Sequence, residues 1–390
     1  MWLSKLQIGN LRCFGEIQLN FAPGINLIEG ANGSGKTSIL EALHYLCYLR
    51  SFRTYYTREL IQLTQHGFFI KASFAHPTTS VPELYLLQQP TKHQLQVGFT
   101  PQKRVLKIDQ TEIKNYSELL STYRAISFVE DDLGLIKGQP LIRRTFLDQY
   151  IALYTPEYLK LSAEYKKILA NRNSLINNLN FKSSSNNFNL EHSKHEYQLW
   201  TEQLELKSAQ IQALRAQALE QLQLQVNLLL IKYFSETNLS IELVYQPKIL
   251  NQSLEQLFAQ ELRLRRTLFG AHLDDFIINF CSLKSRIFAS RGQQKLILTL
   301  LKLAQYLILT KSNSTNLDQI SSSLSTNSNN SGLFLLLLDD FMTDLDERWL
   351  RILVQALQDL NCQLIFTCPT QTQSAIKTIL QDYQTHKIML

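Results

Sequence analysis

The sequence predicts an α/β nucleotide-binding fold with an antiparallel β subdomain and a long helical lobe or arm. Three observations carry that reading. Residues Gly30, Ala31, Asn32, Gly33, Ser34, Gly35, Lys36 and Thr37 form a complete phosphate-binding loop of the pattern GxxxxGK[ST]. An unbroken apolar run, Leu333 to Leu338, ends in the carboxylate pair Asp339-Asp340. From about Pro156 onward, apolar residues recur at three- and four-residue steps, the spacing of helices rather than strands.

Taken in order, Ile17, Leu19 and Phe21 alternate with polar residues as a strand does. Pro23-Gly24 then turns the chain into a second apolar run, Ile25 to Glu29, directly before the phosphate loop. The loop opens onto a helix-like stretch, Ser38 to Leu43. This strand–loop–helix context weighs against the bland alternative of an ordinary glycine turn. Three of the chain's 13 glycines fall in the loop, where they let successive backbone N–H groups point at phosphate oxygens. Lys36 is placed to neutralise the β and γ phosphates, and the Thr37 hydroxyl to ligate Mg²⁺. The expected ligand is ATP.

Short β-like runs follow at Phe68–Phe74, Leu84–Leu87, Leu95–Phe99 and Val105–Ile108, parted by Pro and polar clusters. They predict an antiparallel subdomain on the nucleotide core. Beyond Pro156 one helical face carries Leu159, Tyr165, Ile168, Leu169 and Leu175. A polar spacer, Lys182 to Asn187, separates it from a second helix whose stripe includes Trp200, Leu204, Ile211, Leu214, Ala218, Leu222, Val226 and Leu229. Trp200 and its neighbours read as packing residues, and the Gln-rich, irregular stripe is not that of a heptad coiled coil. The expected organisation is an N-terminal half of the ATPase lobe over 1–125 and a helical lobe or arm over 126–265. The C-terminal half of the head follows over 266–390, with a disordered Ser/Asn-rich insert at 312–331.

With 45% hydrophobic and 18% charged residues, the 390-residue chain is globular, not disordered. Its 39 Lys and Arg against 33 Asp and Glu leave +6, compatible with an acidic partner without requiring one. Five cysteines (Cys13, Cys47, Cys281, Cys362, Cys368) show no C-x-x-C pair and read as reduced thiols of a cytoplasmic protein. No signal-peptide pattern and no membrane-length apolar run is present in the sequence, so no membrane role is expected. Candidate basic clusters for a nucleic-acid or other acidic partner are Arg143-Arg144, Lys166-Lys167 and Arg263, Arg265, Arg266, each of which could equally be a solvated face.

The run ending at Asp339 has the texture of a strand covered on both faces. Asp339 is the candidate metal-holding carboxylate, with Thr37, and Asp340 the candidate general base for an attacking water, with Lys36 as its catalytic companion. Ser290-Arg291-Gly292-Gln293 precedes a helical run, Leu296 to Leu309. In that position it resembles the signature motif of the ABC ATPase superfamily, with Ser290, Gly292 and Gln293 as nucleotide contacts at a helix N-terminus.

A closer resemblance runs the length of the chain. Asn10-Leu11-Arg12-Cys13-Phe14, Leu40-Glu41-Ala42 and Ser51-Phe52-Arg53-Thr54 resemble the RecF family of bacterial recombination-mediator ATPases. So do Leu133 to Pro140, Arg143 to Asp148, Asn171-Arg172-Asn173, Gly270 to Asp275, Ser290 to Gln293 and Asp339 to Asp346. Departures from the family pattern stand at Leu11, Cys13, Glu130, Ala271 and Leu273, and Thr367 occupies the place of a transporter ATPase's switch histidine. The resemblance implies an ABC-type, SMC-like head in which one lobe carries both Walker elements and a helical lobe carries the signature. It also implies weak ATPase activity, an ATP-dependent homodimer whose signature faces ATP held by the second copy, and binding to gapped DNA or single-strand junctions. RecR and RecO are the implied partners, in recombinase loading, DNA repair, replication restart and the SOS response. An ABC-transporter ATP-binding subunit is the alternative, and a metabolic P-loop kinase a third reading. The first predicts a compact helical lobe and a switch histidine, and the second would leave Ser290 to Gln293 unexplained.

Overall fold

Period-two alternation near the N-terminus and helical periodicity in the middle of the chain both fold as such. The computed structural model describes residues 1–75, 93–113, 119, 122–155, 157–182, 190–320, 333–340, 345–360, 362–370, 379–380 and 383–390. The first elements are β1 (Trp2–Leu11), β2 (Phe14–Asn20), β3 (Ile25–Gly30), α1 (Lys36–Tyr48), β4 (Phe68–Ala75), β5 (His93–Phe99), β6 (Arg104–Ile108), β7 (Thr111–Glu112) and β8 (Tyr123–Phe128). Then come α2 (Gly134–Lys137), α3 (Pro140–Tyr154), α4 (Glu157–Lys182), α5 (Leu190–Phe234), β9 (Ile241–Gln246), α6 (Leu254–Leu264), β10 (Asp275–Phe280), β11 (Leu283–Lys284) and α7 (Ser285–Phe288). The last are α8 (Arg291–Ile320), β12 (Leu333–Leu338), α9 (Glu347–Gln358), β13 (Gln363–Pro369) and β14 (Thr385–Met389). Leu84–Leu87 and Phe341–Asp344 lie outside the described residues.

The chain divides into two compact units. The first comprises 1–133, 290–306 and 314–390, the second 134–289 and 307–313. These divisions fall later than residues 125 and 265. In the second unit β9 and β10 pair along their whole length, from Asp275↔Gln246 to Phe280↔Ile241, which keeps the segment after 265 with the helices. Ser290–Tyr306 clusters with the nucleotide-binding unit, not with the helical one as the family resemblance implies.

In the first unit an antiparallel sheet of order β2-β1-β4-β5-β6-β7 and a sheet of order β14-β3-β13-β12-β8 share one core. All pairings of the second sheet are parallel. Strands β3 and β8 are buried at every position and β12 at all but Phe334; β12 reads as a continuous apolar run, whereas β3 and β8 also bury the polar residues Asn26, Glu29, Arg124 and Ser127. Helix α1 supplies Ile39, Leu40, Leu43 and Leu46 to that core. The exposed start of α9 is capped by Asp346, whose carboxylate accepts the Trp349 N–H at 2.9 Å.

In the second unit α4 and α5 carry the helical periodicity. Leu204, Ile211, Ala218, Leu222, Val226 and Leu229 are buried, as their spacing demands, while Leu214 is half-buried. Leu159 is exposed, contrary to the sequence reading, because α4 turns a different line inward: Tyr158, Tyr165, Arg172, Ile176 and Leu179. Helix α8 extends to Ile320, so Ser312–Ile320 of the supposed disordered insert is helical, carried on by the apolar run behind it; 321–332 lie outside the described residues. Among the described residues no helix is long and apolar enough to cross a membrane.

Arg172 sits in the line because its charge is matched. It pairs with Glu261 at 2.6 Å, both side chains fully buried, and bonds Thr201 and Thr267. Glu261 also accepts the Tyr197 hydroxyl at 2.7 Å and the Leu268 N–H at 2.7 Å. Removing one partner strands the other charge. Arg172→Ala is expected to lower stability by about 3–5 kcal/mol, whereas an apolar replacement of both Arg172 and Glu261 should recover most of it. Urea denaturation of the two variants checks this; equal losses would show that the pair's charge balance is not what holds the site.

Candidate nucleotide site

The phosphate loop leaves the carboxyl end of β3, where ligands of parallel α/β sheets are received. Gly33 and Gly35 hold φ of 83° and 98°, the left-handed region that glycine enters without strain. At Gly35 a Cβ would in addition collide with the Phe14 ring and Cys13 Sγ. Lys36 opens α1 and is buried, its Nζ donating to the Gly30 and Ala31 carbonyls at 3.0 Å each. The ammonium is thereby held directly over the loop.

Sheet order brings the second half of the site to the same edge. Strand β13 lies between β3 and β12, with Leu338↔Phe366 and Phe366↔Leu27 in register. Asp339 follows β12, and the Thr37 hydroxyl bonds its carboxylate at 2.8 and 3.0 Å. Thr367, one residue beyond Phe366, donates its hydroxyl to Asp339 at 2.8 Å and accepts the Asp340 N–H at 3.0 Å. Asp340 itself holds φ 38°, a left-handed conformation that Asp tolerates better than most residues.

Both carboxyls are pushed above the ordinary range. For Asp339 the cause is lost hydration, opposed by the bonds from Thr37 and Thr367 and by the charges of Arg53 and Lys36. For Asp340 it is lost hydration and then the Asp339 charge, opposed by Lys36 and Lys295. The hard oxygen donors Thr37 and Asp339, converging beside a phosphate loop, fit Mg²⁺.

The two Walker-type elements are therefore brought together. Ser290, Gly292 and Gln293 stand at the start of α8, and Ser290 and Gln293 are spent on one another. Ser290 Oγ accepts the Gln293 N–H at 3.3 Å, and Gln293 Oε1 accepts the Ser290 N–H at 2.8 Å, a reciprocal capping box. Glu130, a departure from the family pattern, is ion-paired with Arg291.

Two residues of the site, Thr367 and Glu41, have parts that their local sequence does not show. Thr367 was noted only for the histidine it replaces, yet its hydroxyl joins both carboxylate residues; a polar residue near the end of an apolar strand was the available signal. Glu41, fully buried on α1, receives Arg12 Nε at 2.9 Å and Arg12 guanidinium N–H at 2.8 Å, with the Ser51 hydroxyl and Arg53 also on it. This cluster ties the β1–β2 turn and the segment after α1 to the phosphate-loop helix. Of the basic clusters, Arg143 is buried and paired with Asp275 at 2.6 Å, and Arg144 bonds the Asp274 carbonyl, so that pair is structural. Lys166, Lys167, Arg263, Arg265 and Arg266 are exposed.

The chain is 28% identical over 373 residues to the DNA replication and repair protein RecF of Thermoanaerobacter sp. (strain X514), covering 92% of each protein. It is 26% identical over 364 residues to the protein of the same name from Desulfitobacterium hafniense (strain DSM 10664 / DCB-2), covering 89% of this chain and 87% of that one. Its fold matches a solved structure of the recombination mediator protein RecF-ATP in the RecFOR pathway with a TM-score of 0.72 at 24% identity, covering 96% and 93%. The model of the family described as AAA domain matches residues 5–331. With most of its length in that match, the chain belongs to the AAA domain family, and the relatives it resembles are RecF proteins.

Proposed function

We propose that this chain is a DNA replication and repair ATPase of RecF type: it dimerises on ATP, binds gapped DNA or single-strand junctions, and supports recombinase loading with RecO- and RecR-like partners. The observation that carries the nucleotide half is the contact of Thr37 with Asp339, 302 positions apart in sequence. The names of the relatives support the DNA half. The transporter alternative is not favoured, since those relatives are repair proteins.

In this reading the loop N–H groups and Lys36 receive the ATP phosphates, and Lys36 exchanges its two carbonyl partners for phosphate oxygens. Thr37 and Asp339 would hold Mg²⁺, which when bound neutralises phosphate charge. Asp340 takes the proton of the attacking water, leaving ADP and phosphate. Thr367 orients the Asp339 carboxylate and holds the Asp340 backbone N–H through its single hydroxyl. Ser290, Gly292 and Gln293 complete the site on ATP held by a second copy, so each copy carries two half-sites.

The test couples hydrolysis to DNA. Asp340→Asn should hydrolyse ATP at least 100-fold more slowly while keeping ATP-dependent, salt-sensitive binding to gapped DNA. A base must be deprotonated, and the folded-state shift of Asp340 is upward. The parental rate should thus fall as pH drops through a value above the ordinary 3.8, and that acid limb should vanish in the variant. A parental hydrolysis rate in Asp340→Asn would remove Asp340 as the base. DNA binding indifferent to ATP would remove the coupling.

A further inference from the structure

The segment leaving α1, Arg50-Ser51-Phe52-Arg53-Thr54-Tyr55-Tyr56-Thr57-Arg58, places three arginines and two adjacent tyrosines within one short stretch. Tyr55 is 99% exposed and Tyr56 71%. Arg50, Arg53 and Arg58 are exposed with them. The backbone beneath is braced. Ser51 Oγ accepts the N–H of Arg53 at 2.9 Å and of Thr54 at 3.1 Å. Thr54 Oγ1 accepts the Tyr56 N–H at 3.1 Å and donates to the Glu59 carboxylate. The single turn Thr57–Leu60 is fastened to the turn after β1, since the Arg12 N–H reaches the Leu60 carbonyl at 2.8 Å and the Arg12 guanidinium reaches the Glu59 carbonyl at 2.9 Å.

Two aromatic rings standing in water on a fixed backbone add nothing to the core, and contiguous exposed apolar surface of this kind marks an interaction site. The surrounding charge selects the occupant. Glu59 is the only acid between Arg50 and Arg58 and the end of the turn, and its carboxylate is engaged by Thr54. Arginines interleaved with ring faces match a polyanion that also presents flat apolar rings, which is the chemistry of an unpaired nucleic-acid strand. In duplex DNA the base faces are already stacked on one another.

We propose that the Arg50–Arg58 segment is a stacking platform for unpaired bases, with Tyr55 and Tyr56 supplying the ring faces and Arg50 and Arg58 the phosphate contacts. This rests on the DNA-binding reading above and assigns the single-stranded part of the substrate to this segment. Both tyrosines are solvent-exposed, so their substitution leaves the fold and the nucleotide site in place.

The full-length Tyr55→Ala/Tyr56→Ala protein, the Tyr55→Phe/Tyr56→Phe protein and the parent would be titrated with a labelled oligothymidine, a gapped duplex and a blunt duplex. All titrations contain ATP and Mg²⁺ and are run over a salt series. The alanine variant should lose at least tenfold in affinity for the single strand and the gapped duplex, and less than twofold for the blunt duplex. The phenylalanine variant should bind like the parent. Arg58→Ala should flatten the salt dependence by roughly one phosphate contact. Parental single-strand affinity in the alanine variant, with the parent itself binding DNA, overturns the platform and leaves the DNA-binding reading standing. No DNA binding by the parent overturns both. An alanine variant that keeps DNA affinity but no longer dimerises on ATP makes the segment a contact between copies and overturns the platform as well.

Discussion

Lys36→Ala is expected to abolish ATP-dependent DNA binding and hydrolysis and to weaken nucleotide binding by at least 100-fold. The ammonium is held over the loop by the Gly30 and Ala31 carbonyls at 3.0 Å, the position proposed to meet the β and γ phosphates of a nucleotide. Backbone N–H groups remain in the variant, but they are dipoles, and the loop loses its one full positive charge. Arg53 stands close enough to act on Asp339, yet its nearest acid is Glu41 at 4.0 Å and it is not part of the loop. Equilibrium titration with a fluorescent ATP analogue measures the loss. Parental affinity in Lys36→Ala would mean that nucleotide binds elsewhere.

Ser290→Arg is expected to leave the ATP affinity of the isolated chain intact while blocking dimerisation and hydrolysis. Ser290 and Arg291 are exposed in the single chain, and in the proposed arrangement a bulky cation at 290 meets ATP only when a second copy supplies it. In that arrangement ATP binds the dimer more tightly than the single chain and shifts the monomer–dimer equilibrium by that differential affinity. The substitution also removes the Ser290 cap on the Gln293 N–H, worth about 1 kcal/mol. Ser290→Ala separates the two effects, because it loses the same cap and the proposed hydroxyl contact with the second copy's ATP without adding bulk. Sedimentation with ATP and Mg²⁺ should show the parent as a dimer, Ser290→Ala as a weakened dimer and Ser290→Arg as a monomer. Equal dimer formation by all three would remove the shared-site arrangement.

The half of the site carried by the phosphate loop was legible because its chemistry is local. Gly33, Gly35, Lys36 and Thr37 lie within five positions, and the conformations they need follow from residue type. Strand β12 was legible for a related reason: cover on both faces favours an unbroken apolar run, and Leu333 to Leu338 form one. The helical stripe of α5 was read correctly at Leu204, Ile211 and Leu222 by periodicity alone.

What the sequence by itself determined, then, was the loop between β3 and α1, the apolar strand β12, the helical stripe of α5 and the residue types proposed for phosphate and metal, since each follows from spacing along one segment. Tertiary structure decided which of those residues meet. The order β3-β13-β12 places Thr367 between the two Walker-type elements, so that one hydroxyl serves both Asp339 and Asp340. It also decided that Arg172 faces inward where Leu159 does not, because a buried guanidinium is tolerable only when Glu261 arrives from another helix to match it. Such pairings join positions far apart in the chain. Their free energy depends on burial and geometry that no local pattern encodes.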